Sequence, residues 1–269
     1  MSSPAYITSM SETAYRAASG FSASQLRLFS SSPSARHFQV AYYEAREKST
    51  VPTEFGRLFH EKRHLGVKFA EAYLVTPPGL RRGTKKWAEL AQAGPLLKAT
   101  DAAKIAAMDE AVQAHPSAAL LVASGDKECS FFFDWEGLRF KGRADHVNHD
   151  LRVIADYKTV LSADPKDRNG LKKFLRDGLY HYQAALYRQG LKAVTGEDYS
   201  FVFVCIEKVP PFAITCCTLP DALMAQGRRE VLETAKRLDH CIRHDEWPSY
   251  PTDIIEVEPN FYDRVSSAS

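Results

Sequence analysis

No apolar run in the 269 residues approaches the ~18 needed to span a membrane. The longest, at 118–123 and 201–206, have the length of a strand or a short helix, so the expectation is a protein that does not cross a membrane. Cysteine is scarce: the five, at 129, 205, 216, 217 and 241, form no C-x-x-C pair, which argues against a zinc ribbon or a redox dithiol. Cys205 and Cys216 lie in strand-like apolar runs and are expected to be small core residues. The opening MSSPAYITSMSETAY has neither the basic start nor the apolar stretch of a secretory signal, so the expectation is a reducing cytoplasm. A charge excess is missing too. With 35 Lys+Arg against 33 Asp+Glu the net charge is +2, so any nucleic-acid reading must rest on local clusters.

What remains is the composition of an ordinary globular chain, 45% hydrophobic and 25% charged, long enough for one large domain or two small ones. Residues 5–20 read as a loosely structured lead-in. Ser22 or Ser24 can cap a helix interrupted at Pro33, and further helices are expected over 53–69, from the basic turn 76–87 through Leu90, and over 101–115. From Glu128 the period changes to alternation. ECSFFFDWEG, LRFKGRADHVNHD and LRVIADYKTV read as three strands joined by turns at 135–137 and 148–150, an antiparallel meander. A helical region starting at Asp164-Pro165 and broken near Gly170 and Gly178 follows. Then come a helix over 179–194, two strands, YSFVFVCIEK and AITCCTL, and a long helix over 220–244. This order predicts a mixed α/β fold around one central sheet, with residues 1–120 mostly helical and 121–269 carrying the sheet.

The meander holds the chemistry. Asp156 and Lys158 are two apart on one strand and share a face, and Asp145 lies on the strand before. Two carboxylates suit a hard divalent cation, and a lysine can orient a water or steady charge on a phosphate. A set of ordinary salt bridges at a sheet edge is the plainer reading of the same residues.

The arrangement R-A-D-H-V, a turn, then V-I-A-D-Y-K-T resembles the PD-(D/E)xK nuclease superfamily. F-G-R-L-F-H at 55–60 looks like the G-x-x-x-H motif of its RecB-like branch, and H-Y-Q-A-A-L-Y at 181–187 is similar to that branch's Q-x-x-x-Y. With S-x-S-Q-L at 22–26, an Arg-Arg loop at 81 and 82, Glu128 before an apolar strand, and D-E-W-P near the end, the chain resembles the nuclease domain of the RecE-type exonucleases and their phage relatives over nearly its whole length. The resemblance implies a PD-(D/E)xK core in a single domain over 1–269, a central mixed sheet with its three-strand meander flanked by helices.

It also implies a site. Mg²⁺, with Mn²⁺ as a substitute, would be held by His60, Asp145, Asp156 and the Tyr157 carbonyl, with Lys158 holding or deprotonating a water. Each residue has a plainer reading as well. His60 could be a core histidine, and Glu128 a solvated strand start rather than a group touching the metal directly or through water. Gln183 and Tyr187 could be helix packing rather than groups that position the scissile strand or the water near Lys158. His146, His149 and His181 are expected to be structural or solvent-facing rather than catalytic.

Two basic runs flank the motif: Arg81, Arg82, Lys85 and Lys86 beside Trp87, and Lys166, Lys172, Lys173 and Arg176 before the Gln/Tyr helix. They read either as solvated faces or as a phosphate-backbone surface. No base-reading motif accompanies them, so sequence-nonspecific binding is the expectation. The resemblance implies digestion of linear double-stranded DNA from 5′ ends, leaving 3′ tails for a single-strand annealing partner of the RecT type, and a homo-oligomeric ring. A nuclease of other polarity, an endonuclease and an inactive DNA-binding subunit are the alternatives. An iron-sulfur cluster is disfavoured, since the first cysteine is Cys129 and no later trio exists.

Overall fold

The structure, a computed structural model, describes residues 3–44, 51–167 and 169–255. The chain begins with β1 (Ala5–Ile7), α1 (Glu12–Ala17), β2 (Phe21–Ser22), α2 (Ala23–Ser31) and α3 (Ala35–Gln39). Next come α4 (Val51–Leu65), α5 (Phe69–Ala72), β3 (Leu74–Val75), α6 (Lys85–Ala91), β4 (Leu96–Leu97), α7 (Ala99–Ala114) and α8 (Pro116–Leu121). The meander is β5 (Asp126–Trp135), β6 (Leu138–Asn148) and β7 (Val153–Val160). It is followed by α9 (Leu171–Asp177), α10 (Tyr180–Thr195), β8 (Ser200–Glu207), β9 (Ile214–Cys217) and α11 (Asp221–His244).

Side-chain oxygens set several helix starts: Ser22 Oγ accepts from the Gln25 N–H and Thr84 Oγ1 from the Trp87 N–H. Gly196, at φ +79°, ends α10 in the left-handed conformation that favours glycine. Among the described residues no helix is long and apolar enough to cross a membrane.

The sheet runs β1-β5-β6-β7-β8-β9, with β2 pairing β6. β5–β6 and β6–β7 are antiparallel, as the alternation predicts, while β8 lies parallel to β7. One face, with Phe131, Phe133, Phe140 and Phe203, packs against α10, beside which α2 and α11 lie. The other, with Ala155, Tyr157, Val204 and Ile206, packs against Leu58 and Phe59 of α4 and Ile105, Met108 and Val112 of α7.

Three expectations are corrected. The segment 5–20 is no loose lead-in, because β1 pairs with β5 and Lys141 on β6 donates to the Tyr15 and Arg16 carbonyls at the end of α1. A three-residue strand and a six-residue helix carry too little periodicity to be seen in sequence. The helix after Asp164 starts only at Leu171, because the Asp164 and Asp167 carboxylates take the Lys166 and Asn169 N–H groups and hold turns instead. Cys205 is buried as expected, whereas Cys216, on the last strand of the sheet path, is half-buried.

Gly142 and Gly190 clamp the Phe131 ring. A Cβ at Gly142 would lie 2.1 Å from one ring atom and a Cβ at Gly190 2.4 Å from another, so the ring has no room to move aside. Gly142→Ala is expected to lower stability by about 1–3 kcal/mol in urea unfolding, the usual cost of overpacking. An unchanged midpoint would mean that the ring relaxes.

Candidate active site

β7 leaves β6 where the two aspartates sit. The β6–β7 pairing ends at His146↔Ala155, while β7 stays paired to β8 as far as Val160. In the gap the Tyr157 N–H, without a β6 backbone partner, donates to Asp145 Oδ2 at 2.8 Å. The neighbouring ladder is disturbed at the same level, since Glu128 takes φ +51°, uncommon for a residue with a Cβ, between the pairs Lys127↔His146 and Cys129↔Ala144.

Helix α4 brings His60 to this gap. A Cβ at Gly56 would sit 3.3 Å from Thr159 Oγ1, so glycine lets the helix approach β7 closely. His60 Nδ1 then lies 3.2 Å from Asp145 Oδ2. His60, Glu128 and Asp145 each offer a ligand atom, all within 4.8 Å of one another. Two carboxylates and an imidazole form a donor set that fits a small divalent cation.

Asp156 lies beside that trio and is engaged by other partners. It is 1% exposed, pairs with Lys158, and accepts from Gln183 Nε2 at 2.6 Å. Asp145 thus meets His60 and the Tyr157 N–H, while Asp156 meets Lys158 and Gln183. Lys158 is the counter-charge that this buried carboxylate meets. The Lys158 ammonium also lies 4.8 Å from the centre of the Tyr180 ring.

Burial and neighbouring charges pull the groups of the site in different directions. Burial and the neighbouring Asp145 push Glu128 up to about 7, although Arg143 and His60 pull the other way. Burial pushes Asp156 up to about 6 against the pull of Lys158. Burial works against the charge on Asp145 too, but there His60 and Lys158 win and hold the carboxyl below its ordinary range. His60 is raised, its burial outweighed by Asp145. Burial thus leaves Glu128 and Asp156 readier to hold a proton than ordinary carboxylates, even with Arg143 and Lys158 beside them.

Raised carboxyls bind protons more tightly in the folded than in the unfolded chain. Their contribution to stability is present below the ordinary carboxylate range and is lost as pH rises through about 6 to 7. A cation competes with these protons and with the His60 proton, so its affinity should climb over that window. Thermal stabilisation by Mg²⁺ or Mn²⁺ is therefore expected to be larger near pH ~8 than near pH ~5.5. An equal shift at both would contradict the assignment.

The trio and Lys158 open into a cleft of about 790 Å³ also lined by Met10, Tyr15, Arg57, Arg143, Phe174 and Tyr180, among others. Sequence reasoning gave Arg143 no role. Its guanidinium donates to Glu128 Oε2 at 2.8 Å, the Met10 carbonyl at 2.8 Å and Ser130 Oγ at 2.9 Å, tying the N-terminal segment to the site. Its place two residues before Asp145 on one strand was the available signal.

Tyr187 does not line the cleft but packs edge-on against Phe131 at 5.2 Å, its hydroxyl pushed well up by burial. Arg81, Arg82, Lys85, Lys86, Lys172 and Lys173 are exposed and also lie outside the cleft lining; Arg82 pairs with Glu54 and Lys173 with Asp177. His146 bonds the Ser124 carbonyl, His149 joins Asp126 and Tyr199, and His181 joins Glu230, all in structural contacts as expected.

Strand order, the break between β6 and β7, and the Asp, Asp-x-Lys and His placement define the class, a PD-(D/E)xK-type fold with a candidate metal centre. The chain belongs to the family described as PDDEXK-like domain of unknown function (DUF3799), whose profile matches residues 22–257. It is similar to the solved structure named "Putative exonuclease" from Eubacterium rectale, with TM-score 0.69 and 15% identity over 97% of this chain and 99% of that one. At that identity the likeness establishes the fold. A second solved structure, SSO0001, has TM-score 0.30 and 18% identity over 70% of this chain and 87% of that one, and carries no argument. No curated protein matches the sequence significantly.

Proposed function

We propose that the chain is a Mg²⁺-dependent deoxyribonuclease, a processive 5′ to 3′ exonuclease on linear double-stranded DNA whose 3′ tails serve recombination by strand annealing. The observation that carries the reading is the His60, Glu128 and Asp145 cluster opening with Lys158 into one cleft. The RecE-type resemblance supplies the polarity, the RecT-type annealing partner and the ring assembly.

His60, Glu128 and Asp145 would hold the cation, with Asp156 and the Tyr157 carbonyl as further ligands. A divalent cation there supplies Lewis-acid polarisation of the phosphate and a lowered pKa for water. Lys158, fully charged beside Asp156 and Asp145, orients the attacking water and stabilises the charge that builds on the phosphate. Asp156 holds Lys158, and Gln183 holds Asp156. Tyr187 packs the helix that carries Gln183 against the sheet.

Arg81, Arg82, Lys85 and Lys86 meet backbone phosphates outside the cleft. Neutralising them is expected to weaken binding to all sequences alike and to flatten the salt dependence by roughly 0.7 to 0.9 log units for each phosphate left without its cation. Cleavage at saturating DNA should survive. A salt slope equal to the wild type would remove this loop from the DNA path and leave Lys172 and Lys173 as the candidates.

A further inference from the structure

The cleft exceeds what a cation and one phosphate require. About 790 Å³ is in the range that takes a whole small-molecule ligand. Its lining combines the charged residues of the site with two neighbouring rings, Phe174 and Tyr180. These stand on consecutive helices, α9 and α10, joined by a turn at Gly178 and Leu179. A Cβ at Gly178 would lie 2.4 Å from the Tyr180 ring, and Leu179 takes φ +48°. The turn thereby holds the two ring centres 5.0 Å apart at 34°.

The Tyr180 ring is already engaged. Arg27 lies 4.0 Å and Lys158 4.8 Å from its centre, and Phe203 meets it edge-on at 5.9 Å. Tyr15, another ring in the lining, carries Lys141 at 5.2 Å and Arg143 at 6.0 Å. Phe174 is half-buried, beside Tyr180, one ring removed from the Lys158 ammonium. The exposed Lys172 and Lys173 precede it on the same short helix.

We propose that Phe174 is a stacking platform for the base next to the scissile phosphate, with Tyr180 fixing its distance from Lys158. The proposal rests on the nuclease reading above and adds a nucleobase contact to it. A phosphate held at Lys158 brings its own nucleotide's base into the same cleft. An aromatic face accepts any base, because every base has a π face. Such a contact positions a nucleotide without reading its identity, in keeping with sequence-nonspecific cutting.

The test compares binding of the full-length protein to blunt duplexes with an intact or an abasic terminal nucleotide, at 5′ and 3′ ends separately. Ca²⁺ replaces Mg²⁺ to hold turnover down. Base–aromatic stacking is worth about 5- to 150-fold in affinity. The wild type should prefer the intact end by about tenfold on at least one strand. Phe174→Ala and Phe174→Leu should lose that preference, while Phe174→Trp should keep it.

Leucine retains apolar bulk without a π face, so it separates stacking from packing even where the alanine variant fails to fold. Full preference in Phe174→Leu would overturn the platform. Wild-type protein that cuts DNA but binds intact and abasic ends equally would overturn the platform alone. Wild-type protein that neither binds nor cuts any duplex would overturn the nuclease reading along with it.

Discussion

Asp145→Ala is expected to reduce DNA cleavage to background, and EDTA should reproduce that loss in the wild type. Asp145 is the shared member of the site. It meets His60 at 3.2 Å, offers an oxygen within 4.8 Å of one from Glu128, and accepts the Tyr157 N–H where β7 leaves β6. The alanine variant removes a ligand and also orphans a backbone donor, which costs roughly 1–3 kcal/mol when that group is buried. Asp145→Asn separates the two effects. It keeps an acceptor for the Tyr157 N–H but loses the charge, so the fold and DNA binding should hold while metal affinity and cleavage are lost. Mn²⁺ should replace Mg²⁺ in the wild type, whereas Ca²⁺, larger and less demanding in geometry, should support binding with little turnover. Full activity in either Asp145 variant would remove the residue from the site.

Lys158→Ala is expected to slow cleavage by about 10²–10³-fold, the usual cost of removing one group that stabilises developing charge. Lys158 is not itself a ligand, so Mg²⁺ affinity measured by calorimetry in alkaline buffer, where the cation and not a proton takes Asp156, should change little. The variant also strips the buried Asp156 of its counter-charge. Asp156, already pushed up to about 6, should rise further and take up a proton, with Gln183 still donating to its other oxygen. Metal-free Lys158→Ala should therefore lose stability more at alkaline than at mildly acidic pH. A fall in metal affinity as large as the fall in rate would make Lys158 chiefly an ion-pair partner.

The elements legible in the sequence were those with a long period. The alternation from Glu128 to Val160 set the meander and its turns, and the helical stretch 179–194 put Gln183 and Tyr187 on one face of α10. His60, Asp145, Asp156 and Lys158 stood out in the sequence as candidates through their spacing within a family pattern, and the fold brings them to one place. How they group was not legible. The period-two rule cannot show that β6 and β7 part between Ala155 and Tyr157, which puts Asp145 with His60 and leaves Asp156 with Lys158. The N-terminal wall of the cleft was missed because β1 and α1 gain their stability from β5, Lys141 and Arg143, partners more than a hundred residues away. The basic loop at 81–86 was legible as charge, but its position relative to the cleft depends on tertiary packing.

The most direct measurement is to incubate the purified protein with 5′-labelled linear, 3′-labelled linear and circular duplex DNA, with and without Mg²⁺, beside Asp145→Asn. The predicted result is Mg²⁺-dependent loss of the linear duplexes, with early release of the 5′ label and late loss of the 3′ label. Circles should remain intact, and the variant should release nothing. Wild-type protein that leaves every duplex intact in both Mg²⁺ and Mn²⁺, or an Asp145→Asn variant that digests DNA as fast as the wild type, would contradict the account.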